Sequence, residues 1–387
     1  MLLNETASGP LAGLKVLEVE GTGGSPYAAM LLADMGAEVV RIERLQGSTA
    51  EIGGTNPGSV TGRGRSCVIG LDLKRAEGLS LLLDLATESD VLIEAFRPGV
   101  AERLGFGPDI VRALNPRIIY GRLTGWGRDG PLSQAAGHDI NFVALAGLLG
   151  QTGRKGQAPT PPLAIGGDMA GGGLFLAFGI LAALIERQTS GRGQTVDAAM
   201  VDGAASLMGP FWGYHAQGLW SATRESNLTD GGAPMYDTYE CKDGEHVAIG
   251  ALEPRFYALL KERIGLADEA DPLDPANWPR LRESLRAIFL SKTSTEWRDL
   301  LEGTDACFAP VLNFATAPEH PHLQARKTLI DLDGVRQPAP TPRLSRTPGQ
   351  AKATSRGPMA IEETLRRWRV APKRLEKLTK AGVLDAA

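Results

Sequence analysis

A chain of 387 residues with 43% hydrophobic and 22% charged residues has the composition of an ordinary folded protein and the length for two domains. Its formal net charge of -4 provides no global positive field to collect nucleic acid or anionic membrane, so any anionic ligand must be held locally. Three scattered cysteines, Cys67, Cys241 and Cys307, fit neither a disulfide framework nor a zinc-ligand spacing, which points to a reducing compartment and a cytoplasmic protein.

The opening MLLNETASGPLAGLK lacks the basic start and apolar run of a signal peptide. LKVLEVE (14–20) is predicted as a buried strand, GTGGSP as a tight turn, YAAMLLADMG as a helix and AEVVRIE (37–43) as the next strand. GTGGSP lacks the full spacing of a dinucleotide-binding turn. The order repeats with GLSLLLDLATES as a helix and DVLIEAF (90–96) and RIIYGRL (117–123) as strands, the pattern of a parallel sheet covered by helices. From residue 166, GGDMAGGGLFLAFGILAALIERQ is strongly helical. Leu174, Phe178, Leu181 and Ile185 share one face and most other faces are apolar, so the helix is expected to be buried. Its apolar stretch, 174–185, is interrupted by Gly179 and too short to span a bilayer, so no membrane association is expected.

SGRG stops this helix and QTVDAAM follows as a strand. TYECK and EHVAIG pair about an Asp243–Gly244 turn, EPRFYALLKERIG is helical, 338–348 is a proline-rich strap, and 361–387 is a basic helical tail. The expected fold is α/β: a large doubly wound, Rossmann-like domain over 1–197, a linker over 198–226, a smaller α+β domain over 227–318, and a return of the chain to the large domain over 319–387.

Five histidines occur, and His138, in AAGHDINF after the glycine-dense TGWGRDGP, is either a hydrogen-bonded loop residue or an acid–base group near neutral pH. Asp168 precedes the long helix and reads first as its N-cap. The glycines around it, 166, 167 and 171–173, cost helix stability, roughly 0.5–1 kcal/mol each, so something must approach the backbone closely. A thioester carbonyl at this helix start would gain as its oxygen becomes an enolate. Glu253, just ahead of Pro254, reads as a helix-start acid, and His320 and His322 as surface loop residues. Arg41, Arg44, Lys74, Arg97 and Arg103 emerge near strand ends, where open α/β sheets bind ligands, and together suit a phosphate-bearing one.

Several separated motifs in order, GLKVLEVEG, GAEVVRIER, LDLK, FRPGV, GRLTGWGRDGP, GRGQTVDAAMVDG and DACFAPVL, resemble the class III CoA-transferase superfamily along nearly the whole chain. GHDINF, GGDMAGGG and GALEPRFY resemble its α-methylacyl-CoA racemase branch. The resemblance implies an isomerase of lipid metabolism that inverts 2-methylacyl-CoA thioesters, with coenzyme A as part of the substrate and neither prosthetic group nor metal. It assigns His138 and Asp168 to opposite sides of the α-carbon and Glu253 to orienting the histidine. Coenzyme A contacts fall on Arg44, on Leu71, Asp72, Leu73 and Lys74, on Ala95, Phe96 and Arg97, on Arg103, and on the loop Gly137, His138, Asp139, Ile140, Asn141 and Phe142. It further implies an interlocked homodimer in which Glu253 of one chain serves His138 of the other. The chemistry requires two groups that exchange acid and base roles, hence pKa values closer than the ordinary ~6.5 and ~3.9. The superfamily also implies a rival, a CoA-transferase in which Asp168 forms an acyl anhydride. A scaffold that merely binds acyl-CoA would not need the three residues together.

Overall fold

The computed structural model describes residues 9–45 and 59–385; the start of the predicted leader-free segment, 1–8, and the tip of RLQG lie outside them. Two compact units divide the chain: residues 1–146, 163–207 and 325–387 form one, and 147–162 and 208–324 the other.

In the first unit, β1 (Lys15–Val19), α1 (Gly24–Asp34), β2 (Glu38–Glu43), β3 (Arg65–Leu71), α2 (Ala76–Thr87), β4 (Val91–Glu94), α3 (Val100–Leu104), α4 (Pro108–Leu114) and β5 (Ile119–Thr124) follow in turn. α5 (Asp139–Leu145), a π-helical turn (Gly166–Leu174), α6 (Phe175–Ser190), β6 (Thr195–Ala199) and α7 (Met200–Leu207) complete this part. The six strands are parallel in the order β3-β2-β1-β4-β5-β6. This is the doubly wound arrangement, with its strand order reversing between β1 and β4. One core lies under α2 and holds Leu17, Ile42, Ile69 and Leu92; the other lies under α1 and α6 and holds Val16, Ile93, Ile119 and Ile180.

The second unit contains α8 (Gly209–Ala216), β7 (Tyr236–Glu240), β8 (His246–Gly250), α9 (Pro254–Ile264), α10 (Trp278–Phe289), α11 (Ser294–Leu301) and β9 (Phe308–Pro310). Its antiparallel sheet β7-β8-β9 is turned by the predicted Asp-Gly hairpin, with Tyr239 opposite Val247. In its core Tyr239 stacks on Phe289, which meets Trp297 edge to face.

The chain then runs through α12 (Pro321–Arg326), the hairpin β10 (Leu329–Leu332) and β11 (Val335–Pro338), and the helices α13 (Pro358–Arg367) and α14 (Pro372–Lys380) to β12 (Leu384–Asp385). β12 pairs antiparallel with the outer edge of β3, and Trp368, Leu365 and Leu378 enter the core, so the basic tail is part of the sheet domain.

Three expectations need correction. The supposed linker 198–226 is largely helical, since α7 and α8 occupy it. β3 was not anticipated. The long helix is not buried on all sides: Leu176, Ala177, Ile180, Ala183 and Leu184 pack on the sheet, whereas Leu174, Phe178 and Ile185 are exposed, Phe178 by 68%. The helical run Leu163–Ser190 is also longer than the stretch marked in the sequence, and by length and composition alone it could cross a membrane.

Candidate active site

Open α/β sheets bind at the carboxyl ends of their strands, where the strand order reverses. A cleft of about 240 Å³ lies there, walled by Thr22 after β1, Ala95–Pro98 after β4, Leu123–Trp126 at the end of β5, and both His138 and Asp168. Two of the three predicted catalytic groups are therefore brought together in one cavity.

His138 stands ahead of α5 in extended backbone, and its N–H donates to Asn141 Oδ1 at 3.0 Å. Asn141 thus fixes the entry of the chain into the helix, while the imidazole lies on the exposed side in the cleft. Trp126 and Phe142 pack edge to face beneath it, their ring centres 4.8 Å apart. Gly137 lies against both rings, where a Cβ would come within 2.7 Å of Phe142.

Asp168 is not the N-cap that the sequence suggested; it is the third residue of the π-helical turn. The surrounding glycines have another purpose than admitting a substrate. A Cβ on Gly171 would meet the Ala204 nitrogen at 2.7 Å, and one on Gly173 the Gly24 oxygen at 2.5 Å. They let the turn press directly on the backbones of α1 and α7. The GTGGSP turn proves to be a wall of the site: Gly23, at φ +62°, leaves room for Asp168 Oδ2, which a Cβ would approach to 2.7 Å. At the helix start where a thioester carbonyl was expected to gain, the amide groups of Gly167 and Asp168 both donate to Asp139 Oδ2 at 2.6 Å.

Burial, then the negative charge of Asp139, raises the Asp168 carboxyl to about 6, against the opposing influence of His138. That value lies close to the ordinary imidazole pKa of about 6.5. A carboxyl of that strength can both donate and accept a proton near neutral pH.

Glu253 is placed in the second unit, at the start of α9. Its carboxylate makes no capping bond to the helix, and its charge helps burial raise the neighbouring Cys307 thiol. His320 is not a free surface residue, because Nε2 lies 2.7 Å from Glu302 Oε1.

The anticipated coenzyme A contacts separate into two groups. Arg44, Lys74, Arg97 and Arg103 are exposed, with Arg44 81% so, and Ala95, Phe96 and Arg97 line the cleft. Ile140 and Asn141 are exposed on α5. The side chains of Leu71 and Asp139 are buried and can offer a ligand backbone only, Phe142 is largely buried but lines the cleft, and Leu73 packs on the core. Asp72 is committed to its own turn, accepting from the Lys74 amide at 3.0 Å. Arg41 is not a phosphate ligand: it is 1% exposed and paired with Glu18 and Glu43 at 2.5 and 2.8 Å. Among the described residues, no group of three or more His, Cys, Asp or Glu could hold a metal ion. The sequence reading passed over Gly23 as a site-forming residue, for which the glycine pair in GTGGSP was the available signal, and it gave Asp139 to coenzyme A, whereas the side chain holds the Gly167 and Asp168 amides.

Residues 11–363 match the family model CoA-transferase family III. The chain is 44% identical over 358 residues to the alpha-methylacyl-CoA racemase of Mus musculus, covering 92% of this chain and 91% of the mouse protein. It is 43% identical to the protein of the same name from Homo sapiens, over 87% of each. Among solved structures, a CAIB/BAIF family protein from Brucella suis superposes with a TM-score of 0.77 at 25% identity, covering 93% of this chain and 99% of that one.

Proposed function

The chain belongs to CoA-transferase family III, and from that premise we propose that it is an α-methylacyl-CoA racemase, interconverting (2R)- and (2S)-2-methylacyl-CoA. The observation that carries this reading is the pair His138 and Asp168 in one cleft, with the Asp168 carboxyl raised to about 6. The close similarity to mouse and human proteins of that name supports it.

A hydrogen next to a thioester carbonyl is weakly acidic, so its removal needs a positioned base, and inversion needs an acid on the other face. For one epimer His138 takes the proton and Asp168 returns another; for its mirror partner the roles reverse. The cleft suits the reacting thioester end of the substrate, and the exposed Arg44, Lys74, Arg97 and Arg103 supply the positive charge that phosphate groups require. Free thiols at Cys67, Cys241 and Cys307 support a cytoplasmic setting.

The working form is a homodimer. Leu163, Ile165, Leu174, Phe178 and Ile185 leave an apolar face on the first unit, of a kind that soluble proteins cover with a partner. Phe178→Glu together with Ile185→Glu is expected to convert dimer to monomer in sedimentation equilibrium; an unchanged mass would remove this face from the interface.

The activity is tested by incubating the protein with (2R)-2-methylacyl-CoA in deuterated water. Formation of both epimers with deuterium at C2 is the expected result. Absence of exchange, with coenzyme A passing to an added carboxylate, would favour the transferase chemistry of the wider family.

A further inference from the structure

The dipeptide His138-Asp139 sends its two side chains to different places. His138 lines the cleft, whereas Asp139 is 5% exposed and turned to the backbone of the π-helical turn. Its Oδ2 accepts the amide protons of Gly167 and of Asp168 itself, both at 2.6 Å. Residue 167 must be glycine for this approach, since a Cβ there would stand 2.8 Å from the same oxygen. The other oxygen, Oδ1, is buried with no hydrogen-bond partner. A buried carboxylate with one oxygen unpaired is costly, so its retention calls for a reason beyond packing.

We propose that Asp139 is a positioning residue of the site: its buried carboxylate clamps the turn that presents Asp168 to the cleft, tying that residue to the segment that carries His138. The inference rests on the racemase reading for its kinetic consequences, but the clamp itself is a property of the fold. Two short bonds to consecutive amides hold the Asp168 backbone at a fixed offset from the start of α5. A second effect follows from charge. Asp139 and His138 are the charged groups that act on Asp168. The other elements packed on the turn set against it Gly24 and the ring of Tyr27 of α1, Leu123 of β5, and Met200 and Ala204 of α7, none of which acts on Asp168 by charge. Asp202 of α7 acts on Asp197 instead. The unpaired charge of Asp139 therefore favours the protonated form of Asp168, which is the form that returns a proton to an enolate.

Two substitutions separate the clamp from the charge. Asp139→Ala removes both, and a displacement of about 1 Å at a reacting group lowers turnover roughly 100-fold. The expected result is that loss in kcat with KM changed less than about twofold. Asp139→Asn keeps an acceptor for the two amides and removes the charge. It is expected to restore most of kcat at its own optimum while the acid limb of the pH profile moves to lower pH, because Asp168 then ionises more readily. Carboxyl-carbon NMR titration of Asp168 in substrate-free protein gives a readout that needs no activity, and its midpoint is expected to fall in the Asn variant. Wild-type turnover and an unmoved midpoint in both variants would overturn the proposal. A wild-type protein without exchange but with a midpoint that falls in Asp139→Asn would overturn the racemase reading and leave the clamp and its charge standing.

Discussion

His138→Ala and Asp168→Ala each lose epimerisation, by about 10²–10⁴-fold in turnover if each supplies one proton-transfer step, yet each keeps deuterium wash-in at C2 of one epimer. The retained epimers are opposite. With His138 gone, Asp168 can still remove and return a proton on its own face, exchanging it for deuterium without inversion; with Asp168 gone, only the other face is served. NMR of resolved epimers in deuterated water reads both outcomes. Wash-in through Asp168 alone falls as the pH drops through about 6 or slightly above, since burial and Asp139 raise its carboxyl and the opposing influence of His138 has been removed. An ordinary aspartate would hold its charge down to about 4. Exchange of both epimers by either single variant would show that the two groups are not the opposing pair.

The second large effect concerns stability. Glu18, Arg41 and Arg65 are each no more than 1% exposed on the adjacent strands β1, β2 and β3, with Glu18 accepting from Arg41 at 2.5 Å and from Arg65 at 2.8 Å. Arg65 also donates to the Pro26 carbonyl at 2.9 Å, fastening the end of the GTGGSP turn. Glu18→Gln leaves two buried guanidinium groups short of their counter-charge, which costs about 3–5 kcal/mol. Urea denaturation is expected to show that loss. Replacing Arg65 by Met in the same chain is expected to cost less than the sum of the separate changes, as interacting partners do. Additive losses would mean that the pair is not coupled. Burial alone would raise the Glu18 carboxyl, but Arg41 and Arg65 outweigh it and hold the group below its usual range. Its contribution to stability is therefore present at neutral pH and is lost as the pH falls through that depressed value.

These charges also explain what was legible in the sequence. β1, β2, β4 and β5 show as short apolar runs, and the sheet class follows from their alternation with helices. β3 escaped because it opens on Arg65 and Ser66, and a charged residue at a strand start reads as surface; the structure buries it by pairing it with Glu18 on another strand. Arg41 misled in the same way. Local pattern reports polarity, whereas burial of a charge depends on partners supplied by tertiary structure. Around the site, His138 and Asp168 could be singled out by their settings, and family resemblance gave them roles, but only folding across β5 and α5 brings them to one cleft. The glycines after Asp168 advertised a close approach without saying whose. That approach is made by α1 and α7, and the amides at the start of the turn belong to Asp139.

The sheet domain is assembled from three stretches of chain, and its outermost strand, β12, comes from the last described residues. During synthesis the open edge of β3 must therefore wait for Leu384 and Asp385, long after the second unit has emerged as an almost continuous piece. An unpaired strand edge is a template for joining another chain. A nascent chain stalled before β12 would carry that edge exposed, and association with chaperones is the expected fate of such an intermediate.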